Sequence, residues 1–161
     1  MPLGSWTVLR WLLVTLALIS LTLDTARVAS PNIGRSLQRL VPVFRETEMR
    51  RLSGASWLML GYALAAWFPP PAPAAGVLVA ATADPAASLI GTMGGIPGKK
   101  TWRGSAAGAL VAALVLVCLG LPWIAVILAA VAAAVFERWS GILDDNLIIA
   151  PAVALAIWLL T

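Results

Sequence analysis

Histidine is absent from this 161-residue sequence, and cysteine occurs once, at Cys118. A zinc site of the usual ligand types is therefore not available, and any metal must be a hard cation held by oxygen atoms. A lone thiol also leaves no disulfide within the chain. Charge is scarce: 11% of residues are Asp, Glu, Lys or Arg against 61% hydrophobic, and the mean hydropathy is +0.94. A soluble domain of this length has too high a surface-to-volume ratio to hide so much apolar side chain. Nor do the apolar residues form amphipathic stripes. They come in blocks close to the length of about 20 helical residues that the hydrocarbon core of a bilayer requires.

Six such blocks are predicted to be helices, at 6–23, 53–68, 74–90, 104–121, 122–136 and 147–160. The run Pro69-Pro70-Pro71-Ala72-Pro73 stops the second. The first lacks a clean basic leader and an immediate small-residue cleavage site, so it reads as a retained span and not a signal peptide. The expected fold is all-α: one polytopic membrane domain over 1–161, with about six transmembrane helices. Residues 24–52 form a basic segment between the first two spans. There Ser30-Pro31 resembles a capped helix start, and Ile33, Leu37, Leu40, Val41 and Phe44 follow helical spacing with Arg35, Gln38 and Arg39 elsewhere on the wheel. An interfacial amphipathic helix ended by Pro42 and a solvated basic loop that sets topology are equal readings.

The net charge of +4 comes from basic residues flanking apolar blocks, which points to lipid headgroups or a phosphorylated substrate and away from nucleic acid. Putting the 24–52 segment in the cytoplasm sets ten of the eleven basic residues on that side, all but Arg10. The seven carboxylates, Asp24, Glu46, Glu48, Asp84, Glu137, Asp144 and Asp145, fall on or near the same side.

Three stretches carry residues suited to chemistry. Asp84, in Thr82-Ala83-Asp84-Pro85, lies inside an apolar span, where a carboxylate is costly and so suggests function; a structural pairing with an interfacial Arg is the plainer alternative. The loop 91–105 combines Gly91, Gly94, Gly95 and Gly98 with Lys99, Lys100 and Arg103. Glycines let backbone N–H groups gather around an anion, although the spacing is not that of a Walker A loop and composition alone favours a flexible basic connection. The run from Glu137 to Asn146 holds Glu137, Asp144 and Asp145, enough oxygen for a cation such as Mg²⁺, which takes one or two carboxylates plus substrate phosphates. Either aspartate also suits the cap of the last helix.

These same residues resemble a known family. Asp84-Pro-Ala-Ala-Ser-Leu-Ile-Gly91, then Gly98-Lys99-Lys100-Thr101-Trp102-Arg103-Gly104-Ser105, then Glu137 and Asp144-Asp145-Asn146 with Pro151, are similar to the dolichol kinase, phytol kinase and CTP-dependent diacylglycerol kinase family. The stretch from Glu48 to Gly61 resembles the segment that precedes the aspartate span there. Arg103 stands where the family usually carries Glu. The resemblance implies an integral membrane kinase that transfers phosphate from CTP, with a divalent cation, to the hydroxyl of a lipid alcohol; the charge bias puts its active site toward the cytoplasm. Under it, Asp84 and Asp145 hold Mg²⁺, with Asp144 as the alternative ligand. Gly94, Gly95, Gly98, Lys99, Lys100, Thr101 and Asn146 bind nucleotide or phosphate, and Glu137 accepts the hydroxyl proton. Expected partners are membrane lipids, the nucleoside triphosphate and the lipid alcohol, with a homodimer left open. Two other readings stand beside this one. Enzymes that make CDP-diacylglycerol share an intramembrane Asp and a Lys-rich loop, but carry a glycine-histidine signature that a histidine-free chain lacks. A small transporter or scaffold needs no such loop beside the acids.

The charge bias makes a direct prediction. Single cysteines introduced in a Cys118→Ser background should label from one side of the membrane at 91–103 and at 137–146, and from the other at 69–73. Opposite labelling of the first two would separate the basic loop from the acids.

Overall fold

A computed structural model describes residues 3–30, 32, 34, 51–93, 100–139 and 144–161. Among these, every regular element is a helix: α1 Leu3–Ala29, α2 Gly54–Ala65, α3 Ala72–Thr92, α4 Trp102–Cys118, α5 Trp123–Trp139 and α6 Asp145–Leu160. All six predicted apolar blocks are helical, with shifted ends. Two helices, at Ser5–Ala29 and Ala72–Thr92, are long and apolar enough to cross a membrane. Three shorter apolar helices accompany them: Gly54–Ala65, Trp102–Cys118 and Asp145–Leu160.

The ends differ from expectation because hydropathy falls at the first charge, whereas a helix continues as long as its backbone ladder does. Asp24 to Ala29 belong to α1 and not to the segment after it. Asp24 and Arg27 are one turn apart and pair at 2.6 Å, both buried. Arg27 also suits the negative end of the α1 dipole, as Arg138 suits that of α5, which runs on to Trp139 and takes Glu137 out of the expected loop. Asn32 and Gly34 are helical, and the Gly34 N–H donates to the Ser30 carbonyl at 2.9 Å. The rest of the proposed amphipathic helix, Ile33 and residues 35–50, lies outside the described residues.

Helix starts follow from local chemistry. Ser53, Thr101 and Asp144 cap α2, α4 and α6 by accepting N–H bonds from Ser56, Gly104 and Asn146. Pro73 occupies the first turn of α3, where its missing N–H costs nothing. Pro85 and Pro151 lie inside α3 and α6, and each withholds one ladder hydrogen bond.

Consecutive helices run antiparallel, and α3 packs against α4 and α6. The C-terminal ends of α1, α3 and α5 meet the N-terminal ends of α2, α4 and α6, which creates one polar end. Ser53 N–H donates to Asp24 at 2.5 Å, and Arg27 donates to the Arg51 carbonyl at 2.8 Å. At the far end Arg10 donates to the Ala66 carbonyl at 2.9 Å and stacks on Trp67, which meets Trp11 edge-on. Between the ends the core is rich in alanine, with Val79, Leu116, Ile149, Val153 and Ile157 as its larger fully buried side chains. Large apolar side chains line the outside, among them Val8, Trp11, Leu110, Trp123 and Ile127.

The Asp24–Arg27 pair joins α1 to α2, and truncating one partner leaves the other charge buried. Asp24→Ala should lower stability by about 3–5 kcal/mol, whereas Asp24→Leu combined with Arg27→Met should recover most of that loss. Thermal unfolding in detergent measures both; a double variant as unstable as the single one would mean that packing, not the orphaned charge, sets the cost.

Candidate functional site

The polar end is assembled by a lysine. Thr101 caps α4, so Lys100 immediately before it stands at the helix mouth. Its ammonium donates to the Asp145 carboxylate at 2.6 Å and to the backbone carbonyl of Glu137. One side chain from the basic loop therefore binds the C-terminal turn of α5 and the first turn of α6. The three stretches singled out in the sequence converge here although 37 and 45 residues separate Lys100 from Glu137 and Asp145.

Glu137 is held from α4. Ser105, buried one turn into that helix, donates its hydroxyl to the Glu137 carboxylate at 2.7 Å. Asp84, Ser105 and Glu137 line a common cavity of about 10 Å³ with Ala83, Gly108 and Ile149, room for roughly one water molecule. Asp84 lies within electrostatic range of Asp145, Lys100, Glu137 and Asp144. A close crossing makes this possible: a Cβ added to Gly104 would lie 2.6 Å from the Ala87 carbonyl and 3.2 Å from the Gly91 Cα, so only glycine lets α4 come this near to α3.

Asp144 and Asn146 act as a unit. The Asp144 carboxylate accepts from the Asn146 backbone N–H at 3.1 Å and from its side-chain amide at 2.8 Å. Burial pushes the Asp144 carboxyl above the usual carboxylate range, the Asn146 bonds oppose that, and the negative charge of Asp145 adds to it. The capping role anticipated for one of these aspartates thus falls to Asp144.

Of the expected site residues, Asp84, Glu137, Lys100, Thr101, Asp144, Asp145 and Asn146 all lie at this end. Thr101 spends its side chain on the α4 cap, accepting from the Gly104 N–H at 3.1 Å. Gly94, Gly95, Gly98 and Lys99 lie outside the described residues. The oxygen donors match a hard cation in type. Among the described residues, however, no group of three or more Asp, Glu, His or Cys side chains stands close enough to hold a metal ion. A cation arriving with phosphates needs only one or two carboxylates from the protein. Ser105, although it closes the motif 98–105, and Arg138 were given no role from sequence. Nothing in spacing marks Ser105, because its partner Glu137 comes from another helix.

No family model matches the sequence, and neither a curated protein nor a solved structure is significantly similar to it. The family resemblance rests on the motifs themselves.

The Lys100–Asp145 contact is partly open, with the two side chains 35% and 20% exposed. A double-mutant cycle with Lys100→Met and Asp145→Asn should give a coupling of about 0.5–1 kcal/mol. A coupling near zero would make the contact incidental to the fold.

Proposed function

We propose that this chain is a multi-pass membrane kinase that transfers the terminal phosphate of CTP to the hydroxyl of a lipid alcohol, with its polar end in the cytoplasm. The observation that carries the reading is the Lys100 bridge: a lysine from a glycine-rich basic loop meets the acidic segment beside a cavity lined by Asp84 and Glu137. Cationic loop and carboxylates together are the equipment of phosphoryl transfer, which depends on positioning and charge neutralisation. Two helices of spanning length, and the large apolar side chains exposed around the others, support the membrane setting. The shorter helices are about 18–26 Å long at 1.5 Å per residue, so a six-span arrangement requires their flanking residues or a locally thinned bilayer to make up the difference.

In this reading Lys100 neutralises charge on the triphosphate; Gly94, Gly95, Gly98 and Lys99, assigned to the same task by the sequence, lie outside the described residues. Asp84 and Asp145 are the residues to hold Mg²⁺, with Asp144 as the alternative; the cation supplies neutralisation of phosphate charge. The acceptor hydroxyl gives its proton to the Glu137 carboxylate, kept in orientation by Ser105. Its oxygen forms a bond to the terminal phosphorus as the bond to the bridging oxygen breaks, and CDP leaves. The cavity admits about a water molecule, so nucleotide and lipid chain lie outside it and only the reacting groups approach Asp84 and Glu137.

The test is to incubate the purified chain with [γ-³²P]CTP or [γ-³²P]ATP and a panel of polyprenol, phytol and diacylglycerol acceptors. Labelled lipid phosphate is the expected product. CDP-lipid with pyrophosphate would replace the reading with cytidylyl transfer, and neither product would leave a transporter or scaffold. Asp84→Asn keeps size and removes charge. It should abolish turnover by orders of magnitude with little change in melting temperature. A well-folded and fully active variant would remove Asp84 from the site.

A further inference from the structure

Arg138 follows Glu137 in the last turn of α5. Its guanidinium carbon lies 3.8 Å from the centre of the Trp102 ring. At that distance the flat guanidinium stacks on the ring face, which fixes its plane while using none of its N–H donors. Trp102 opens α4 and is 69% exposed, so the ring reaches out of the bundle to meet the arginine. The Nη1 atom of Arg138 is buried and has no hydrogen-bond partner among the described residues. A buried cationic donor left unpaired is costly, and in native proteins such an atom calls for an explanation.

The acids of the same end do not supply one. Asp145 accepts from Lys100, the Asp144 carboxylate accepts from Asn146, and Glu137 accepts from Ser105. Lys100 and Trp102, two residues apart, both engage the last turn of α5, one through the Glu137 carbonyl and the other through Arg138. The result is an oriented guanidinium with a spare donor, beside a second cation. That donor set matches a phosphate-type oxyanion, whose oxygens accept charge-assisted bonds from the arginine fork.

We infer that Arg138, held flat on Trp102, is an anion-binding residue whose buried Nη1 donates to a phosphate oxygen of a ligand at the polar end. This deepens the kinase reading and rests on it for the ligand's source, which there is the nucleotide; a lipid headgroup phosphate offers the same chemistry.

Binding without turnover separates the two ideas. The full-length chain is placed in phosphatidylcholine nanodiscs and titrated calorimetrically with CTP and with pyrophosphate. In a second arm the nanodiscs contain phosphatidic acid and no nucleotide, and lipid retention is read by native mass spectrometry. Arg138→Met should weaken the phosphate probe by about tenfold or more in at least one arm, and the responding arm identifies the source. Arg138→Lys, which keeps charge but loses the planar fork, should restore only part of the affinity. Arg51→Gln, which removes an exposed charge elsewhere on the chain, should bind almost as the unaltered chain does. The melting temperature of Arg138→Met should not fall, since the substitution removes an unpaired donor. Should that variant prove too poorly folded to assay, the Lys variant decides alone, and undiminished affinity overturns the proposal. Equal affinity of Arg138→Met in both arms, no phosphate binding by the unaltered chain, or an equal loss in Arg51→Gln overturns it too. A chain that binds phosphate through Arg138 yet transfers none keeps this inference and loses the kinase reading. A CTP kinase whose nucleotide affinity ignores Arg138 does the opposite.

Discussion

The close approach of helix backbones governs this structure. In the membrane setting proposed above, an apolar surround gives no hydrophobic reason for apolar helices to associate, so contact has to come from packing between small residues. Gly76 lies against the Ala150 carbonyl, where a Cβ would collide with it, and Gly104 does the same against Ala87. At Gly61 a Cβ would come within 2.8 Å of the Leu147 carbonyl. Pro151 has no N–H to offer that carbonyl, so the glycine of α2 approaches backbone that the proline has released. The alanine-rich core follows from the same need. So does the site, because Asp84 on α3 comes to share a cavity with Ser105 and Glu137 only through the α3–α4 crossing at Gly91 and Gly104.

Once the helices are this close, polar groups at their ends have little water to turn to. Each then needs a partner within the protein, since desolvation without one is expensive. The polar end meets that need in local units. Asp24 has Arg27 and the Ser53 N–H; Asp144 has Asn146; Glu137 has Ser105; Asp145 has Lys100. Three of these units also cap or join a helix start, so charge satisfaction and helix termination are solved by the same residues. The buried Nη1 of Arg138 stands outside the scheme.

Helix existence was legible from sequence because it depends on composition over long windows, and six apolar blocks gave six helices. Helix ends were not. The α1 helix continues through Asp24 and Arg27 because those charges neutralise each other across one turn, a pairing that a hydropathy average counts as two penalties. The α5 helix continues through Glu137 because a serine on α4 and a lysine before it receive its polar groups. The site was legible in part for the same reason. Asp84, Lys100 and Asp145 advertise themselves as charges in or beside apolar sequence. Ser105 and Trp102 are ordinary residues of a helix start, and their roles exist only where another helix meets them. Multi-pass topology goes beyond helix existence, since only α1 and α3 have both the length and the apolarity to span.

Lys100 links these levels. In the sequence it reads first as a topology signal, one more positive charge at a membrane face. In the folded chain it is the tie between α4, α5 and α6, and its ammonium balances a carboxylate that would otherwise repel Asp144. Those roles are compatible with a third, because a contact left 35% and 20% exposed is weak enough to exchange partners. Under the proposed reading, an incoming phosphate competes with Asp145 for the ammonium, and the Glu137 carbonyl keeps the lysine at the helix mouth while it does so. The Asp24–Arg27 pair, buried on both sides and tied to Ser53, has no such freedom. The difference in exposure between two otherwise similar ion pairs is what separates a fastening from a group able to meet a ligand.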